Sequence, residues 1–163
     1  PISSTRIRSA LAAGEIDNVN AMLGRPYMLE GRIERGDQLG RQLGVPTANL
    51  EGVTQLLPRF GIFAGYVWLS DDELSMPIVT RLDKKAVPAV FSVGIRPSLH
   101  SVAPPVRVEA HLLKGAYGPD ALYGKRAGYY LTHRLRDEIA FSDLEALKRQ
   151  MATDIAEARR LLT

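Results

Sequence analysis

Apolar residues along the first 24 positions recur at helical spacing. In STRIRSALAA, Ile7, Ala10 and Leu11 fall on one face, with Ser4 placed to cap the start and Gly14 to stop it. A second short helix opens at Asp17, carries Val19, Met22 and Leu23, and ends at Gly24, where Pro26 bars continuation. From Tyr27 the period changes. YMLEGRIE, GIFAGYVWLS, VPAVFSVG, VRVEAHLL and RAGYYLTHRL are short, rich in strand formers and separated by Gly, Pro and Asp. SDDEL and KGAYGPD read as hairpin turns. Connections this short leave no room for crossover helices, which predicts an antiparallel sheet closed into a barrel.

The tail returns to helical spacing. Ser142 and Glu145 have the separation of a capping box, and DLEALKRQMATDIAEARRLL follows. Leu144, Leu147, Met151, Ile155, Ala158 and Leu162 form one stripe, read as core packing by a helix that seals the barrel. The fold class is therefore mainly β with flanking helices.

Composition narrows the classes. A chain of 163 residues with 45% apolar and 24% charged side chains suits one compact domain with a short appendage. Without cysteine it holds neither disulfides nor thiolate metal sites, which fits a reducing, cytoplasmic compartment. No apolar run approaches the roughly 18 residues of a membrane span. The net charge of +3 comes from 21 basic and 18 acidic residues so interleaved that no three basic residues are consecutive. That describes a mixed surface, not a nucleic-acid interface. In GYYLTHRLR, where basic and aromatic residues do meet, the tyrosines are adjacent and point to opposite faces. His100, His111 and His133 lie on separate segments without metal-ligand spacing.

Two segments carry candidate chemistry. In GDQLGRQLGVPTANL, residues 36–50, the glycines Gly36, Gly40 and Gly44 recur every fourth residue, freeing backbone N–H groups to turn toward an anion, with Arg41 among them. Pro46 holds Val45 extended, and Thr47 and Asn49 then present two hard oxygens on one side, of the kind Mg²⁺ accepts beside nucleotide phosphates. A glycine loop that simply runs into a strand fits the same residues. In VRVEAHLL, Val106, Val108, Ala110 and Leu112 alternate onto the core face and leave Arg107, Glu109 and His111 on the other. Alternation alone leaves open whether Glu109 is a working carboxylate or a strand glutamate paired with Arg107.

The pattern R-G-x-x-L-G-x-x-L-G-x-P-T-A-N-L, from Arg35 to Leu50, resembles the signature of the riboflavin kinases, including the C-terminal module of the bacterial bifunctional riboflavin kinase/FAD synthetases. SVGIRPSL, VRVEAHLL, LYG and RDEIAFSDLEAL continue the resemblance in order, from about Tyr27 to the C-terminus. Ser98 stands where the family usually has threonine, and KGAYGPDALYG lacks its phenylalanine and has Ala121 in place of an acid. ISSTRIR, residues 2–8, is similar to the last motif of the family's nucleotidyltransferase module. The expected organisation is thus a helical linker and adenylyltransferase remnant over 1–25 and a kinase domain over 26–163. The rest of the adenylyltransferase module would belong to a longer parent, and FAD synthesis is not expected of this fragment.

The resemblance implies a six-stranded antiparallel Greek-key barrel with a long C-terminal helix. It implies ATP- and Mg²⁺-dependent phosphorylation of the riboflavin 5′-hydroxyl to FMN and ADP, without a tightly held organic cofactor. Glu109 would be the general base, and Thr47 and Asn49 the Mg²⁺ and ATP ligands. Gly36, Arg41, Leu112, Lys114 and Tyr123 would contact the nucleotide. Arg136, Ile139 and Phe141 would form the flap over the flavin, and His111 would be structural. The partners are then small molecules, with no nucleic acid and no membrane. The competing class is a non-catalytic flavin- or FMN-binding barrel, which would need neither PTAN nor Glu109.

Overall fold

The computed structural model describes residues 1–35, 47–70, 85–95, 106–115 and 121–162. Six strands form: β1 Tyr27–Glu34, β2 Thr47–Glu51, β3 Gly61–Ser70, β4 Val87–Ile95, β5 Val106–Leu112 and β6 Arg126–Arg136. They close into a barrel in the order β1-β2-β5-β4-β3-β6, every pairing antiparallel. The ends of the five strands named from the sequence fall within a residue of those expected; β2, which follows the glycine loop, is the sixth. One side of each strand fills the interior with side chains such as Leu29, Ile33, Phe63, Phe91, Val93 and Tyr129, all fully buried. Tyr129 donates its hydroxyl hydrogen bond to the Ala48 carbonyl at 2.6 Å and packs against Phe91 with ring centroids 5.0 Å apart. Burial, with a smaller push from Glu109, holds its phenol well above the ordinary pKa.

The helices are α1 Ser4–Ala13, α2 Ile16–Leu23 and α3 Leu144–Leu162. Their caps differ from the expected ones by a residue. Ser3, not Ser4, caps α1 by accepting from the Arg6 N–H at 3.2 Å, and Gly14 ends it in the left-handed region at φ 79°. α2 opens at Ile16, because that side chain is drawn into the core. Asp143, not a Ser142–Glu145 box, caps α3 by accepting from the Ala146 N–H at 2.7 Å. Glu145 instead faces Lys148 at 3.6 Å.

The helices also divide the packing differently from expectation. Ala10, Leu11, Ile16 and Val19 of α1 and α2 join the barrel's interior cluster. The Asn20 amide ties α2 to the wall, donating to the Leu131 carbonyl and accepting from the Tyr27 N–H, each at 2.8 Å. α3 does not seal the barrel. Its Ile155, Ala158 and Leu162 form a separate cluster with Ile62, Ala64 and Val90 on the outer side of β3 and β4.

Candidate active site

Between that outer wall, the segment after β6 and the middle of α3 lies a cavity of about 480 Å³. Ser92, Arg107, Glu109 and His111 face it from β4 and β5, Arg136, Ile139 and Phe141 from the segment opposite, and Leu147, Met151 and Asp154 from α3. A chamber of this size, mostly apolar with a few converging charges, suits a small organic ligand.

Glu109 sits there because of strand parity. Val108 and Ala110 point into the barrel, so Glu109 points out, with Asn49 of β2 on one side and Ser92 of β4 on the other. Its carboxylate lies 3.4 Å from His111 Nε2, and both side chains are largely covered. Arg107 turns to Ser92, donating to its hydroxyl at 3.2 Å, and to Glu138 at 3.6 Å. The Glu138 carboxyl lies over Gly94, where any Cβ would collide with it.

Opposite stands Arg136, gripped from two directions. Its Nε and Nη2 donate to the two oxygens of Asp154 at 3.0 and 2.8 Å, and its Nη1 donates to the Asp137 carbonyl at 2.9 Å. Its guanidinium carbon lies 6.0 Å from the centre of the Phe141 ring. Asp154, Ser92 and Glu138 were not singled out from sequence as site residues, and Met151 was read as core packing. For Asp154 a signal existed: an acidic residue interrupts an apolar face defined by 151, 155 and 158.

The expected nucleotide residues are more dispersed. Thr47 and Asn49 share the outer face of β2, opposite His111 and Glu109 respectively, and Asn49 is buried. They offer hydroxyl and amide oxygens, which fit a hard cation; the described residues contain no cluster of three or more His, Asp or Glu that would hold a metal by itself. Leu112 belongs to the barrel interior and Lys114 is exposed just beyond β5. Tyr123 packs against the interior cluster, with Arg35 over its ring at 5.1 Å. Gly36, Arg41, Ser98 and His100 lie outside the described residues. His133 is engaged by Thr132, whose Oγ1 is 2.9 Å from its Nδ1.

Residues 23–162 match the Flavokinase family, riboflavin kinase. The bifunctional riboflavin kinase/FMN adenylyltransferase of Pseudomonas fluorescens is 34% identical over 160 residues, covering 98% of this chain and 46% of that protein. That of Escherichia coli K12 is 35% identical over 158 residues, covering 97% and 45%. The chain thus spans about half the length of the curated relatives it matches. Among solved structures, a macrolide-efflux protein from Streptococcus pneumoniae superposes with a TM-score of 0.78 at 26% identity, covering 97% of this chain and 46% of that one. The riboflavin kinase of Trypanosoma brucei superposes at 0.52 and 20% identity, covering 85% and 80%, and supports the fold alone.

Proposed function

The chain belongs to the riboflavin kinase family, and from that premise we propose that it transfers the γ-phosphoryl group of ATP to the 5′-hydroxyl of riboflavin, yielding FMN and ADP. The carrying observation is the juxtaposition of Glu109 with Asn49 on adjacent strands, at the wall of a chamber closed by Arg136, Ile139 and Phe141. Phosphoryl transfer asks mainly for positioning and charge stabilisation. Glu109 orients the hydroxyl and accepts its proton as the new O–P bond forms; the bond from the γ-phosphorus to the bridging oxygen breaks, and its electrons leave with ADP.

Phe141 and the Arg136 guanidinium offer flat surfaces to the isoalloxazine ring, and Ile139, Leu147 and Met151 cover its apolar part. Thr47 and Asn49 would hold Mg²⁺, which supplies charge neutralisation at the phosphate oxygens when bound. Gly36 and Arg41 belong to this reading as phosphate contacts, and Leu112, Lys114 and Tyr123 as the nucleotide side. A cytoplasmic setting also belongs to it, as does an adenylyltransferase module ahead of Pro1, of the kind the relatives' names describe. No helix among the described residues is long and apolar enough to cross a membrane.

The direct test is incubation of the pure chain with riboflavin and MgATP, followed by chromatography. FMN and ADP should appear in equal amounts. Riboflavin bound but unchanged would overturn the reading in favour of a non-catalytic flavin-binding barrel.

A further inference from the structure

We propose that Asp154 is a positioning residue for the flavin: it acts by fixing the Arg136 guanidinium in the cavity wall, without itself reaching the reacting atoms. The inference rests on the riboflavin kinase reading above. Asp154 is the one buried charged residue among the described residues, and it lies on the helix face that is otherwise apolar. A carboxylate is poorly accommodated there unless it is paired and hydrogen-bonded. It accepts two hydrogen bonds from Arg136 and a third from Gln150 Nε2, at 3.1 Å to Oδ1. Gln150 and Asp154 are one turn apart, so the helix delivers the carboxylate already oriented.

For Arg136 the consequence is directional. A free arginine stem has many rotamers, but here both its Nε edge and its Nη1 are taken, by Asp154 and by the Asp137 carbonyl. Three of its five N–H donors are used, and two remain for a ligand. The plane of the group is thereby set beside Phe141. The cation is also neutralised where it stands, with side chains 18% and 8% exposed. The wall therefore presents a flat, polarisable, nearly charge-neutral surface with spare donors. That chemistry fits an uncharged heteroaromatic ring whose rim carries acceptors. The pair also ties the middle of α3 to the end of β6, setting the width of the chamber.

The test is Asp154→Asn, which keeps the shape and loses the charge. The KM for riboflavin, and its dissociation constant by flavin fluorescence in the absence of nucleotide, should rise about tenfold or more, as for losing a charge-assisted hydrogen bond. The KM for MgATP and kcat should stay within about twofold. In an Arg136→Met background, Asp154→Asn should raise the riboflavin KM no further, because its only route is through Arg136. Should Asp154→Asn not fold, Arg136→Met/Asp154→Leu replaces the pair by apolar side chains and should fold with the riboflavin KM of Arg136→Met alone. An unchanged riboflavin KM in folded Asp154→Asn, equal losses on MgATP, or additive effects in the double variants would each overturn the proposal. Wild-type chain that makes no FMN removes the kinase reading, and this inference with it.

Discussion

The two helical regions of the molecule carry similar apolar stripes and do opposite things with them. α1 and α2 press theirs into the barrel, where Leu11, Ile16 and Val19 are as inaccessible as the strand residues they meet. α3 lies on the outside: Ala158 is buried, but Leu147, Met151 and Ile155 face the cavity, and a buried aspartate stands among them. Helical spacing of apolar residues says that a face is covered; it does not say by what. One face is covered by protein, and the other, on the reading given above, is completed by a flavin.

If the N-terminal helices are core and not a tether, the largest effect comes from removing them. Deleting residues 1–24 exposes the interior surface that Ala10, Leu11, Ile16 and Val19 cover, and strips the Asn20 bonds from β1 and β6. The shortened chain should be insoluble or molten, with loss of near-ultraviolet dichroism. A cooperative melt near the wild-type temperature would show that these helices are an appendage to the barrel.

The next effect falls on the other side of the molecule and leaves the fold alone. Glu109→Gln keeps the shape and one acceptor, so riboflavin and MgATP should bind with near-native affinity. The single-turnover rate should fall about 10²–10⁴-fold, or about 3–5 kcal/mol of barrier. A fall of less than about threefold would mean that the base lies elsewhere or that positioning alone suffices.

Paired truncations then separate the two stripes. Ile16→Ala opens a cavity in the interior and should cost about 2–5 kcal/mol of stability, with KM values unchanged in the folded fraction. Met151→Ala borders space that is already open, so it should cost about 1 kcal/mol of stability and raise the riboflavin KM severalfold. The same split, stability for one and KM for the other, is what distinguishes packing from binding. Equal stability losses with no KM effect would return α3 to the role of a core helix.

How much of this was legible in the sequence follows from the physics of each element. The strands were: β1 and β5 are buried on one side and alternate accordingly, while β3 and β4, covered on both faces, were marked by strand formers bounded by turn residues; Glu109 was placed off the interior by parity alone. The caps were off by one residue, at Ser3 and Asp143, because adjacent Ser and Asp side chains are chemically equivalent caps and only the backbone decides between them. The destination of α3 was not legible, since a stripe carries no record of its partner. Arg136 was visible through family resemblance, but Asp154 was not paired with it: they are separated by 18 positions on different elements, and only the folded chain brings them to 2.8 Å. The nucleotide side was the least local. Thr47 and Asn49 reach the same face as Glu109 through strand pairing, while Leu112 and Tyr123 belong to the packing of the interior.

The smallest effect at neutral pH, and the last way to tell the regions apart, is alkaline. Tyr130 lies on β6 between Met28 of β1 and Tyr66 of β3, its ring 6.4 Å from Trp68. Burial, and then the Glu30 carboxylate, push its phenol up to about 12, against a partial offset from Arg25. Tyr27 and Tyr129 are also raised, burial being the leading cause in each. In the unfolded chain these phenols release their protons near the ordinary tyrosine pKa of about 10. For Tyr130, the native state therefore holds a proton that the unfolded state has lost between pH 10 and about 12. The native state binds more protons there, so stability falls as pH rises through that window and is unaffected below it. One retained proton corresponds to a slope of about 1.4 kcal/mol per pH unit. Tyr130→Phe removes one such contribution. Its stability at pH 7 should be close to wild type, and its decline above pH 10 should be shallower by about that slope in urea titrations. If the two curves run parallel from pH 9 to 12, Tyr130 ionises freely in the folded protein, and the packing around it between β1 and β3 is looser than the structure shows.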